Sequence, residues 1–194
     1  SMLHFLPGPI KGGLSLLFIF SAVTFLALFV YILALLKLIL PFQPIRKVLT
    51  QAITAIGSFW IALNNMCLRT IVGIEWDIKG LEELQDHQWY LLISNHQSWP
   101  DVFILQYVFN YRIPFLKFFV KDELKWVPVM GLVWWALDCP FMKRYSKEYL
   151  AKNPHMKGKD LQTTKKACER FKEMPISVIS FIEGTRFTPQ KHQK

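Results

Sequence analysis

The apolar positions of the chain fall into two regimes. Leu14 to Leu36 is a run of 23 residues without a charge, rich in Leu, Phe, Ile and Val, and it resumes beyond Lys37 as far as Leu40. A helix needs roughly 20 such residues to cross a bilayer. A cleaved leader has a shorter apolar core, commonly about 7 to 15 residues, and a small-residue cleavage site, which this stretch lacks. The run therefore predicts a transmembrane helix over 14–40, after a short N-terminal segment, 1–13. Pro41 and Pro44 interrupt it. After them Ile45, Val48, Leu49, Ala52, Ile53, Ile56, Phe59, Trp60, Leu63, Met66 and Cys67 recur at helical spacing, which predicts an amphipathic or second membrane helix over 44–71. Val48 to Leu68 also lacks charge, so pattern leaves both an interfacial helix and a returning span open.

From about Ile74 the pattern shortens. Trp89 to Ser94, Phe115 to Val120 and Ile176 to Ile182 are brief apolar runs that predict strands. Pro100 to Val108 and Leu161 to Met174, the latter stopped by Pro175, predict helices. Strands alternating with helices imply an α/β domain over 72–194, a largely parallel sheet flanked by helices and preceded by N-terminal membrane-associated helices. Trp126, Trp134 and Trp135, around the apolar run Val127 to Leu137, are expected in the core, with the lining of an apolar channel or a place in the membrane interface as the other readings.

Charge adds a direction to this picture. The formal net charge is +9, and between Lys143 and Lys172 ten Lys or Arg face three acids. Such a face suits an anionic partner or is a solvated surface. Nucleic acid is not expected, because no recognition motif accompanies the charge; a phospholipid membrane or a phosphorylated carrier fits better. Lys37, Arg46 and Lys47 outweigh Lys11 across the first apolar segment, which places its C-terminal end and the domain that follows on the cytoplasmic side, at the inner membrane in a bacterial cell. Cys67, Cys139 and Cys168 show no CxxC spacing. Neither a disulfide framework nor a metal site is expected, and reduced thiols are.

The candidate chemistry sits where the first strand ends, at Asn95-His96-Gln97-Ser98-Trp99-Pro100-Asp101. Reactive side chains collect at such strand ends in α/β sheets. A neutral imidazole acts as a general base near neutral pH when a carboxylate fixes its tautomer, and Asp101 lies five positions on from His96. The same Ser98-x-x-Asp101 also resembles a capping box at a helix start, a purely structural role compatible with the first. No GxSxG elbow is present, so a serine nucleophile is not expected.

Four segments together resemble the glycerolipid acyltransferases that include the 1-acylglycerol-3-phosphate acyltransferases. Asn95-His96 to Asp101 is similar to that family's His-x4-Asp motif, Lys121-Asp122-Glu123-Leu124 to its Lys-x-Glu-Leu segment, Phe141-Met142-Lys143-Arg144 to its Phe-x-x-Arg segment, and Phe181 to Arg186 to its Glu-Gly-Thr-Arg motif. The match spans roughly 74 to 190, and Lys143-Arg144 with Arg186-Phe187-Thr188 looks nearer the lysocardiolipin-type branch. The family continues beyond this point with more sheet, so the resemblance implies a C-terminally truncated domain. It also implies an enzyme that moves a fatty acyl group from acyl-CoA or acyl carrier protein to the free hydroxyl of lysophosphatidic acid, making phosphatidic acid, with no cofactor beyond the thioester co-substrate. Remodelling of another lysophospholipid and thioester hydrolysis are the alternatives. His96 and Asp101 would be catalytic. Arg144 and Arg186, with Lys121 as a further charge, would hold the acceptor phosphate, and Glu183, Gly184 and Thr185 would complete the binding loop.

Overall fold

The computed structural model describes residues 5–98, 100–143, 151–154, 158, 162, 165, 169–172 and 174–181. Helix α1 runs Gly8–Ile39 and α2 runs Gln43–Cys67. The break between them follows from Pro41 and Pro44, the first outside either helix and the second tolerated in the first turn of α2. α2 ends in a wide π turn, Leu68–Val72, closed by Gly73 at φ 77°, a left-handed position that glycine takes without strain.

Both helices are long and apolar enough to cross a membrane. The 32 residues of α1 extend about 48 Å, against about 30 Å of hydrocarbon. Their packing is inverted relative to a water-facing helix. The side of α1 turned inward is a narrow stripe of Ser15, Val23, Ala27, Val30, Ala34 and Lys37, while Phe20, Phe25, Leu28, Ile32 and Leu35 stand exposed. On α2 the buried side carries Thr50, Ile53, Ile61, Asn64 and Cys67, and Val48, Phe59 and Met66 face out. Small and polar residues inward with large apolar ones outward is the arrangement of helices that meet lipid. The apolar spacing read in α2 is real, but four positions of that stripe, Ile45, Val48, Phe59 and Met66, point away from the protein.

The hairpin is not a detached anchor. Val30 and Ala34 of α1 and Ile53 of α2 form one core cluster with Val120, Ala136, Leu137 and Cys139. Tyr31 donates a hydrogen bond to the carbonyl of Val129 (2.8 Å). Gly57 lies flush against the Phe115 ring, where a Cβ would come within 2.9 Å.

The α/β part is built on a parallel sheet. Strands β1 (Tyr90–Ser94) and β2 (Leu116–Phe118) flank β5 (Ser177–Phe181), with Tyr90 and Leu116 both level with Ser177 and Ser94 level with Phe181. Helix α3 (Asp101–Phe109) follows β1, within a residue of its expected bounds. The run expected as one strand over 115–120 divides at Phe119. Its first half pairs with β5, and β3 (Val120–Lys121) pairs instead with β4 (Phe141–Met142), joined first through Val120 N–H to the Pro140 carbonyl (2.9 Å). Hydrophobic periodicity reports burial and is blind to a change of partner.

A 3-10 turn, Asp122–Trp126, leads into α4 (Met130–Ala136). The expectation of core tryptophans there fails at two positions: Trp126 is 80% exposed and Trp135 is exposed too, leaving Trp134 turned toward the apolar space between α1, α2 and β2. Of the helix expected at Leu161–Met174, Gln162, Lys165 and Glu169 are helical and Arg170–Lys172 forms a 3-10 turn; its other residues lie outside the described ones, Met174 excepted. Cys67 and Cys139 are free and buried, and burial pushes the Cys139 thiol up to about 11, which keeps it unreactive. Cys168 lies outside the described residues.

Candidate active site

β1 ends at Ser94 and delivers His96 to the C-terminal edge of the sheet. Pro100 and Asp101 then start α3. In the turn between, the Asp101 carboxylate gathers four donors. Its Oδ2 accepts from His96 Nδ1 (2.9 Å), from the backbone N–H of Gln97 (2.7 Å) and from that of Ser98 (2.8 Å), while Oδ1 accepts from the Ser98 hydroxyl (2.9 Å). The Ser98 N–H to Asp101 bond has the form of one half of a capping box, although the helix itself starts at Asp101 with Pro100 as its N-cap. The structural and chemical readings of this motif are thus one arrangement, in which a single carboxylate closes the turn and orients the ring.

Burial acts to raise the Asp101 pKa, but the hydrogen bonds from Ser98, His96 and Gln97 outweigh it and hold the carboxyl at about 2, below the ordinary 3.8. The group is therefore an anion at any physiological pH. A carboxylate at Nδ1 assigns the proton to that nitrogen and leaves Nε2 with a free lone pair. The other face of the ring is fixed by Phe181, the last residue of β5, stacked at 4.3 Å between centroids and 22° between planes. Both side chains of the pair keep 17% of their surface accessible, so the ring is held on one edge and one face without being sealed off.

The depressed pKa gives a stability prediction. In the unfolded chain the carboxyl takes up its proton near 3.8, before the folded one does, so the Asp101 contribution is complete above 3.8 and is lost as pH falls through about 2. The margin in denaturation midpoint of the wild type over Asp101→Asn should be constant at neutral pH and shrink steadily below 3.8. A margin that persists unchanged through acid would contradict the assignment.

The remaining expected site residues divide. Lys121 is exposed on β3, beside Met142 of β4, and makes no contact with the His96–Asp101 pair among the described residues. Next to it Asp122 is engaged by Lys125 (2.9 Å) and approached by Lys143 (3.9 Å). Arg144, Glu183, Gly184, Thr185 and Arg186 lie outside the described residues. What residue types alone did not reveal is the part played by the Gln97 and Ser98 backbone and by the Phe181 ring. The Phe181 contact joins sequence positions 85 apart and follows from the β1–β5 register, in which Ser94 is level with Phe181.

A His–Asp pair held at the end of a parallel strand, in a domain packed against two helices long and apolar enough to cross a membrane, defines a membrane-associated α/β protein. A family model described as acyltransferase matches residues 75–194, and the chain belongs to that family. It is 30% identical over 114 residues to 1-acyl-sn-glycerol-3-phosphate acyltransferase 3 of Arabidopsis thaliana, covering 56% of this chain and 27% of that protein. It is 29% identical over 119 residues to the 1-acyl-sn-glycerol-3-phosphate acyltransferase of Saccharomyces cerevisiae, covering 61% and 35%. Over 139 residues it is 27% identical to an acyltransferase of Schizosaccharomyces pombe described as uncharacterized, covering 72% and 43%. The chain thus spans less than half the length of these relatives. Among solved structures it resembles the 1-acyl-sn-glycerophosphate (LPA) acyltransferase PlsC of Thermotoga maritima, with a TM-score of 0.55 at 17% identity, over 93% of this chain and 64% of that one. That likeness bears on the fold.

Proposed function

We propose that the protein transfers a fatty acyl group from an acyl thioester to the free hydroxyl of 1-acylglycerol-3-phosphate, making phosphatidic acid. The observation that carries this reading is the His96 imidazole, tied through Nδ1 to an ionised carboxylate, with no hydrogen-bond partner at Nε2 among the described residues. Nε2 takes the hydroxyl proton as the alcohol oxygen attacks the thioester carbonyl, the C–S bond breaks, and the proton passes to the departing thiolate. The imidazolium that forms in between is stabilised by Asp101, which stays unprotonated. No covalent acyl-enzyme is required.

The acceptor's phosphate is held by Arg144 and Arg186 through paired hydrogen bonds, with Lys121 adding a point charge. Glu183, Gly184 and Thr185 belong to the same binding loop, which continues the chain from Phe181, the residue stacked on His96. The outward apolar faces of α1 and α2 keep this site beside its lipid substrates, with the catalytic domain on the cytoplasmic side. Lys37 contributes less to that orientation than its charge suggests, since it is buried and paired with Asp138; the bias rests on Arg46 and Lys47.

Labelled acyl-CoA and a panel of lysophospholipids in detergent test the proposal. Phosphatidic acid should form from lysophosphatidate. Acylation of lysocardiolipin with lysophosphatidate ignored would replace the reading by a remodelling enzyme, and thioester consumed equally fast without any acceptor would make the protein a hydrolase.

A further inference from the structure

A second cavity lies far from His96. It opens at the N-terminal end of β5, beneath the loop joining α1 to α2, with a volume of about 260 Å³. Its walls bring four cations, Lys37, Arg46, Lys47 and Lys117, to one carboxylate, Asp138, with Phe171 alongside. His96 packs against Phe181 at the other end of the same strand. The two sites are therefore separate.

Among the described residues the charges here are unbalanced. Lys37 bonds to Asp138 at 2.6 Å and is 7% exposed. Lys117 is 4% exposed, and the contact it makes is with the face of the Phe171 ring, 5.4 Å from the centroid. Burial lowers the Lys117 pKa below that of an ordinary lysine, against the pull of Asp138. Arg46 and Lys47 have no carboxylate partner among the described residues. A buried ammonium without its own counter-ion is costly.

A second feature points the same way. Arg46 and Lys47 stand close to the start of α2, whose first turn has no acidic residue and no side-chain cap. Cations are disfavoured at that end of a helix, where the partial charge is positive. An anion seated in the cavity satisfies all of these groups at once, and tetrahedral oxygens suit both a guanidinium and two ammoniums.

We propose that this cavity binds the phosphate of an anionic phospholipid headgroup and so fixes the α1–α2 loop at the headgroup layer. The source of the phosphate follows from position. Ile39 and Phe42, on either side of the loop, are exposed apolar side chains and the lipid-facing surface of α1 ends there, so the cavity opens where hydrocarbon gives way to headgroups.

The test uses the full chain in nanodiscs, with thermal unfolding followed by tryptophan fluorescence. Discs of phosphatidylcholine alone are compared with discs in which a third of the lipid is phosphatidylglycerol, both at high salt to suppress diffuse attraction. The anionic lipid should raise the wild-type midpoint by about 5 °C. Lys117→Met, which removes a buried charge and keeps an apolar stem, should be no less stable in neutral discs and should lose the rise. The paired surface change Arg46→Gln with Lys47→Gln, which cannot disturb the core, should remove at least half of it. A rise retained in both variants would overturn the proposal, as would no rise at all. Inorganic phosphate added to neutral discs should produce no comparable shift; if it reproduces the rise, the occupant is a free phosphate compound and the lipid assignment falls. None of these readouts depends on acyl transfer.

Discussion

His96→Ala should lower kcat for acyl transfer by about 10²–10⁴, the range that a positioned general base supplies, while KM for the lysophospholipid changes little. The fold should survive, because the carboxylate that loses the imidazole keeps three other donors, the N–H groups of Gln97 and Ser98 and the Ser98 hydroxyl. Asp101→Asn should reach a comparable loss by a different route. An amide at this position keeps its oxygen toward the Gln97 and Ser98 N–H groups and His96 Nδ1, but it carries no charge and no longer stabilises the imidazolium that forms. Because the two residues act as one unit, the double variant should be hardly slower than the worse single one. Steady-state kinetics on the three variants decide the matter: losses that multiply, or that fall entirely on KM, would mean that the pair binds substrate and does not abstract a proton.

How much of this arrangement could be read in advance depends on how local each feature is. His96 and Asp101 are five positions apart, and a strand end followed by a proline and a helix start is a local signal, so their meeting in one hydrogen bond was legible. So were the parallel sheet and the two apolar helices, since both rest on runs of a single character, whereas the pattern left open whether the second helix folds back on the first. The division of the 115–120 run between two partners was not legible, because a strand switching from β5 to β4 leaves its alternation untouched. The exposure of Trp126 and Trp135 was hidden for a related reason: an apolar residue that faces lipid or a neighbouring element has the same composition as one inside the core. Lys37 shows the converse. It looks like the charge that ends a membrane span, yet it turns inward to Asp138, 101 positions away.

Inverted packing of the hairpin also links membrane and catalytic site. Val30, Ala34 and Ile53 share a core with Val120 of β3, Leu137 and Cys139, and β3 follows β2 of the three-stranded sheet after Phe119 alone, so the hairpin is tied to that sheet through a single residue of connection. The sheet in turn carries His96 at one end and the cationic cavity at the other.

Gly131→Ala should be the most damaging single-methyl change in the domain. Gly131 is buried in the first turn of α4, with its N–H bonded to the Val127 carbonyl (2.9 Å), and a Cβ there would overlap the carbonyl oxygen and carbon of Lys125. These are backbone atoms of the 3-10 turn Asp122–Trp126, so no side chain can rotate away. The residue before Met130, Val129, already stands at φ 65°, an unusual position for a β-branched residue, with its carbonyl held by Tyr31. Relief would require α4 to move off the turn, pulling Ala136 and Leu137 out of the shared core. The expected cost is at least about 3 kcal/mol, at the top of the usual range for overpacking, or a midpoint lowered by about 6–12 °C for a chain of this size. Gly8→Ala, at a position with nothing within 4 Å, supplies the control and should leave the midpoint unchanged. Equal midpoints for Gly131→Ala and the wild type would show that α4 is not packed tightly on the turn, and with it would go the rigid link between α1 and the sheet.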